Sequence, residues 1–177
     1  AVVCPFVDFF TRYGTRLALL MLAFIASYRL TDFTMGVMAN PFYLDVGYKL
    51  KEIAAVAKGY GVIMSILGTL LGGVAVARLG TVKSLVLGSL LVIGSNLLFM
   101  TLAFQDDPSL AGLAVVVSAD NLAMGVAGTA LIAYLSSLTS ASYTATQYAL
   151  FSSTYALPGK LLMGTSGFVV DAIGYPW

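Results

Sequence analysis

Long apolar stretches fill most of this chain, and polar residues fall mainly in short gaps between them. A helix crosses a bilayer in roughly 20 apolar residues. By that measure the pattern predicts five helical spans, at about Thr15 to Leu44, Ile53 to Ala77, Ser84 to Phe104, Leu110 to Leu138 and Thr144 to Ala172. The first is polar at Arg29–Asp32 and is expected to break near Asn40-Pro41, while the third carries no charge. Pro158-Gly159-Lys160 lies inside the fifth and predicts a kink there. Ahead of the spans, Phe6, Phe9, Phe10 and Tyr13 follow i, i+3, i+4, i+7 spacing. Residues 1–14 are therefore expected to form an amphipathic helix in the membrane interface, acting as a linker into a transmembrane bundle over 15–177. Tyr175-Pro176-Trp177 reads as the aromatic threshold of a truncated sixth span, or as an aromatic anchor at a natural terminus.

Composition turns this pattern into a fold class. Of 177 residues, 59% are hydrophobic and 10% charged, with a mean hydropathy of +0.94. Soluble domains carry about 25% charged residues, so the expectation is an all-α membrane protein. A net charge of +1 without a basic tract argues against nucleic-acid binding. Cys4 is the only cysteine and histidine is absent, so no disulfide within the chain and no cysteine- or histidine-built metal site is expected. Nothing in the residues implies a cofactor. Any proton coupling falls to carboxylates or lysines. Residues 1–14 lack an uninterrupted apolar core and do not read as a signal peptide; a chain opening on Ala1 reads as the middle of a longer protein. Lysine and arginine in the connections set orientation. Arg12, Arg16, Arg78 and Lys83 lie on one side, Lys49 and Lys51 beside four acids on the other, which puts the amino-terminal end of this segment in the cytoplasm.

Charges within the spans are the candidate chemistry. A charge at the centre of a span costs about 2.5–3.5 kcal/mol on insertion scales, and such residues mark substrate, ion or proton pathways. Arg29 and Asp32 share a helix face and can neutralise one another, either as part of a pathway or as a structural pair locking helices. Asp120, beside Asn121, sits among Ala123, Met124, Ala127 and Gly128. It can exchange a coupling proton, or be held permanently by Lys58, Lys160 or Arg29. Three cations against two acids favour an anionic substrate. Tyr28, Tyr60, Tyr134, Phe151 and Tyr155 lie near these positions, where rings can stack on sugar faces or simply pack. No histidine motif or nucleophile–base spacing points to an intramembrane enzyme.

Between the second and third spans, Gly72-Gly73, Arg78, Gly80 and Lys83 form a short basic turn. The spacing of Gly73, Arg78, Gly80 and Lys83 resembles the cytoplasmic loop signature of the major facilitator superfamily. Ala77 stands where that signature usually carries an acid. Gly68-Thr69-Leu70-Leu71-Gly72 is a small-xxx-small pattern suited to packing two helices within the fold. Gly159-Lys160 is not a phosphate loop, because Thr154 replaces the required earlier glycine.

Longer runs carry a more specific resemblance. Arg29-Leu30-Thr31-Asp32-Phe33, Met38-Ala39-Asn40-Pro41-Phe42-Tyr43-Leu44-Asp45-Val46-Gly47 and Lys51-Glu52-Ile53-Ala54-Ala55-Val56 are similar to the seventh and eighth spans of AmpG-type muropeptide permeases. Tyr143-Thr144-Ala145-Thr146-Gln147-Tyr148-Ala149-Leu150-Phe151-Ser152-Ser153 and Ala156-Leu157-Pro158-Gly159-Lys160-Leu161-Leu162, followed by Gly164, Gly167 and Asp171, match as well. Pro5-Phe6, Asp8-Phe9-Phe10 and Arg12-Tyr13-Gly14 resemble the segment leading into the carboxy-terminal half. The resemblance implies the second half of a twelve-helix major facilitator, lacking its amino-terminal half. It implies proton-coupled uptake of anhydromuropeptides across a bacterial inner membrane for cell-wall recycling, with acetyl-coenzyme A transport or a non-transporting scaffold module as alternatives. Within that frame, Arg29, Lys160, Asn121 and Tyr28 are the expected contacts to an anionic sugar-peptide, Asp32 and Asp120 the expected proton exchangers, and membrane lipid the surroundings.

Overall fold

The computed structural model describes residues 3–104 and 109–173. Among them the chain is entirely helical apart from its connections: α1 (Val3–Tyr13), α2 (Thr15–Ser27), α3 (Leu30–Val46), α4 (Leu50–Ile53), a π-helical segment (Ala54–Tyr60), α5 (Gly61–Leu79), α6 (Thr81–Ala103), α7 (Leu110–Leu138) and α8 (Thr144–Ile173). Among the described residues, four stretches are long and apolar enough to cross a membrane: Thr15–Val46, Leu50–Leu79, Thr81–Ala103 and Leu110–Leu138. With every backbone bond made inside the segment, helices suit that surrounding. The chain is a multi-pass membrane protein. The fifth expected span forms a helix, α8, but is not one of the four. Gln147, Ser152, Ser153, Thr154, Lys160 and Asp171 dilute its apolar residues. The expected aromatic threshold at Tyr175-Pro176-Trp177 lies outside the described residues.

The first span departs from expectation. Helix α3 runs through Pro41 without stopping, so the break near Asn40-Pro41 does not occur. The interruption comes earlier, at Tyr28-Arg29, between α2 and α3. Proline removes one ladder donor, a loss that helices in a membrane tolerate when neighbours re-satisfy the freed carbonyl.

Sharp connections use glycine where the backbone must turn left-handed. Gly14, between α1 and α2, has φ 73°, and Gly80, between α5 and α6, has φ 82°; a side chain at either would be strained. At α4, the Glu52 carboxylate accepts from the Lys49 backbone N–H at 2.9 Å.

The chain divides into two compact units, Ala1–Val37 with Tyr134–Phe168, and Met38–Ala133 with Val169–Trp177. In the first, Phe9, Ala18, Ile25 and Phe151 are fully buried, and the rings of Phe9 and Phe151 meet at 4.9 Å. In the second, α5 and α7 cross backbone to backbone. A Cβ on Gly68 would fall 2.6 Å from the Leu122 carbonyl oxygen, one on Gly125 2.6 Å from the Thr69 nitrogen, and one on Gly72 2.9 Å from Val126 Cα. The small-xxx-small pattern thus packs two helices inside the fold, as its sequence suggested. Helix α6 buries Ser84, Leu85, Gly88, Ser95, Phe99 and Leu102, and turns Val82, Val86, Leu90, Ile93 and Leu97 outward.

Candidate functional site

In the first unit the interruption between α2 and α3 presents Arg29 just ahead of α3. Asp32 lies in its first turn, and Arg29 Nε donates to Asp32 Oδ2 at 2.5 Å. The side chains are 16% and 7% exposed, so the pair is largely removed from solvent and held as a short charge-assisted bond. Arg29 Nη1 also donates to the Tyr155 hydroxyl of α8 at 3.4 Å. The Tyr155 ring packs on Phe33 with centroids 5.3 Å apart. One turn of α8 further on, buried Gly159 receives Phe33: a Cβ there would fall 2.6 Å from Phe33 Cγ. Tyr28 completes an aromatic run, its ring 5.3 Å from Phe24, which in turn meets Tyr134 edge-on at 5.7 Å. Lys160 is exposed on α8. The Arg29 guanidinium is thus oriented by a carboxylate on one edge and by a phenol from α8.

In the second unit Asp120 and Asn121 are neighbours on α7 with different partners. Ser95 Oγ of α6 lies 3.5 Å from Asp120 Oδ1, while Ser65 Oγ of α5 donates to Asn121 Oδ1 at 2.8 Å. Asn121 Nδ2 donates to the Val117 carbonyl at 2.9 Å. The Asn121 amide therefore reaches α5 through its oxygen and is anchored to its own helix through its nitrogen. The uncharged third span thus brings Ser95, 2% exposed, beside Asp120. Lys58 is exposed on the π-helical segment, which closes with the Gly61 N–H donating to Val56 O. Such wide turns often mark functional positions. Of the loop motif, Gly73, Arg78, Gly80 and Lys83 are all exposed around the left-handed turn at Gly80.

A further polar constellation in the first unit escaped sequence reasoning. Gln147, fully buried near the start of α8, binds four groups. Its Oε1 accepts from Arg12 Nη2 at 3.1 Å and from the Ser140 N–H at 2.7 Å. Its Nε2 donates to the Pro5 carbonyl and to Asp8 Oδ2, both at 2.9 Å. Arg12 also pairs with Asp8 at 3.1 Å and donates to the Leu138 carbonyl at 3.1 Å. The Gln147 hydrogen bond first, and the Arg12 charge after it, hold the Asp8 carboxyl below its ordinary pKa, against the opposing effect of partial burial. Helix α1 is thereby clasped to the α7–α8 turn, with Phe9 buried beneath the clasp and Phe6 left outward. The i, i+4 spacing of Asp8 and Arg12 was legible; their glutamine partner, more than a hundred residues away, was not.

No family model matches the chain. It is 34% identical over 175 residues, 99% of its length, to a Rickettsia felis protein named Putative transporter AmpG 4. The same identity holds over 174 residues of the Rickettsia conorii protein of that name, and over 157 residues of a Rickettsia bellii protein named Putative transporter AmpG 1. The chain is a homologue of these AmpG-named proteins. It spans 41% of the length of the first two relatives and 38% of the third.

For an AmpG homologue, the geometry sorts the sequence candidates into two groups. Tyr28, Arg29 and Asp32 belong to the first unit, where Tyr155 and Phe33 join the ion pair. Asp120 and Asn121 belong to the second, with Ser65 and Ser95. Tyr155 appeared in the sequence only as one ring among several; its hydroxyl contact to Arg29 singles it out.

Proposed function

We propose that this chain is part of a proton-coupled secondary transporter that takes up anhydromuropeptides across a bacterial inner membrane. The observation that carries the reading is the Arg29–Asp32 pair with Tyr155, largely buried on a helical stretch apolar enough to span a bilayer. A buried charge pair is costly to keep and serves a pathway better than it serves stability. The AmpG-named relatives supply the transporter class. In this reading the chain forms the carboxy-terminal half of a twelve-helix facilitator. Helix α8 is its fifth span, α1 lies along the cytoplasmic interface, and residues 15–177 make the bundle. Solute binds near the midplane against the other half, as inverted-repeat transporters arrange it.

Arg29, with Lys160, attracts the carboxylates of the sugar-peptide, and Tyr28 offers a ring face to the sugar. Asn121 acts by holding α7 against α5, which fixes the position of Asp120. Asp32 and Asp120 exchange the coupling proton. The basic turn with Gly73, Arg78, Gly80 and Lys83 faces anionic headgroups on the cytoplasmic side. Membrane vesicles bearing the full-length protein test this directly. Labelled anhydromuropeptide is expected to accumulate when an inward proton gradient is imposed. Asp32→Asn or Asp120→Asn should abolish the dependence on that gradient. If both variants keep it, the coupling role is wrong; accumulation of acetyl-coenzyme A instead overturns the substrate; accumulation of neither overturns transport.

A further inference from the structure

Phe33 and Gly159 do no chemistry of their own, yet they pack directly beside the contact between Arg29 and Tyr155. The Phe33 ring fills the notch left by Gly159, where a Cβ would fall 2.6 Å from Cγ and 2.9 Å from Cε2. The same ring lies against Tyr155, 5.3 Å between centroids, and Tyr155 takes a hydrogen bond from Arg29 Nη1 at 3.4 Å. Pro158 precedes the notch and cannot donate to the carbonyl one turn back. A hydrogen bond at 3.4 Å is near the limit at which geometry still holds it. A small retreat of α8 from α3 would break it.

We infer that Phe33 and Gly159 are positioning residues for the anion contact: the ring seated in the glycine notch holds Tyr155 against the Arg29 guanidinium. This rests on the reading of Arg29 as the receiver of the solute's anionic group. With the ring seated, Tyr155 and Asp32 fix the guanidinium plane before solute arrives, so little orientation is lost on binding. With the ring displaced, Arg29 keeps Asp32 but loses its brace from α8.

The test is concentration-dependent uptake of labelled anhydromuropeptide by vesicles bearing the full-length protein. Gly159→Ala is expected to raise KM roughly tenfold or more, the scale of one hydrogen bond to a charged group, and to leave the maximal rate within about twofold. Tyr155→Phe should do the same, and the double variant should be no worse than either alone, because both remove one contact. Phe33→Leu removes the ring that lies against Tyr155, so it should raise KM to the same degree and add nothing in the Gly159→Ala background. A merely structural glycine would lower protein yield and maximal rate together and leave the KM of the surviving protein unchanged. Wild-type KM in Gly159→Ala or in Phe33→Leu overturns the positioning role while Arg29→Gln still raises KM. An Arg29→Gln protein with unchanged KM instead removes the anion reading beneath it, and the positioning role with it. Should Gly159→Ala fail to reach the membrane, Tyr155→Phe decides alone, and an unchanged KM there counts against the proposal.

Discussion

Replacing Gln147 with leucine is expected to unlatch α1. The side chain is fully buried and joins four groups, so the substitution keeps the volume roughly and deletes every bond. Arg12 and Asp8 are 32% and 30% exposed and still hold each other, so water and their mutual pair absorb much of their loss. The Pro5 carbonyl keeps its place in the α1 ladder, whereas the Ser140 N–H, in the turn before α8, has no such recourse. A buried polar group left without a partner costs about 1–3 kcal/mol, and half-buried Ser140 puts the loss at about 1–2 kcal/mol. Intrinsic-fluorescence melting in detergent should show the loss as a midpoint lower by several degrees, with Phe9 the ring most exposed by α1 release. Acid titration provides a second signature. Asp8 is depressed in the folded chain, so its contribution is present above its ordinary value of 3.8 and is lost as pH falls through the lower folded value. The leucine variant should lack much of that acid-sensitive step, since the Gln147 bond is its largest cause. A melting midpoint within about 1 °C of the parent would refute the clasp as a stabilising element.

Three further outcomes follow from the second unit. Gly125→Ala places a methyl 2.6 Å from Gly68 carbon and Thr69 nitrogen. Neither backbone atom can swing aside, so α5 and α7 must part at a cost of about 1–3 kcal/mol or more, read as a lower melting midpoint and poorer yield. Gly73→Ala, exposed on α5, meets nothing within 4 Å and should be silent in the same assays. Tyr48 donates its buried hydroxyl to the Ser109 carbonyl at 3.0 Å, and burial first, then the Glu52 charge, raises its pKa above the ordinary 10.0. A raised acid stabilises the fold fully below its unfolded pKa, and that stability is lost as pH climbs above about 10. Tyr48→Phe should cost roughly 1 kcal/mol at neutral pH, measured by denaturation, and should remove that alkaline step.

Much of the fold was legible because membrane helices are specified locally. Apolar run length alone located the spans whose helices are α5, α6 and α7, and the glycines at 68 and 72 declared a close crossing before a partner was known. Proline was the misleading signal. Pro41 suggested a break that α3 does not make, because a missing donor inside a bundle can be compensated by surroundings the sequence does not display. The true interruption at Tyr28-Arg29 carries neither proline nor glycine.

At the candidate site the division is similar. Arg29 and Asp32 are three residues apart, so helix geometry alone made them partners, and the structure draws them to 2.5 Å. The same holds for Asp8 and Arg12 at four residues, found at 3.1 Å. Sequence thus determined the composition of a membrane-spanning helical chain, its embedded charges and every contact that one helical turn can make. Only the tertiary structure decided what meets those charges from elsewhere: Tyr155 on Arg29, Ser95 beside Asp120, Gln147 between Asp8 and Arg12. These contacts depend on how separate helices are set against one another. That setting comes from side chains filling notches such as Gly159 and backbones meeting at Gly68 and Gly125, and no local periodicity encodes it.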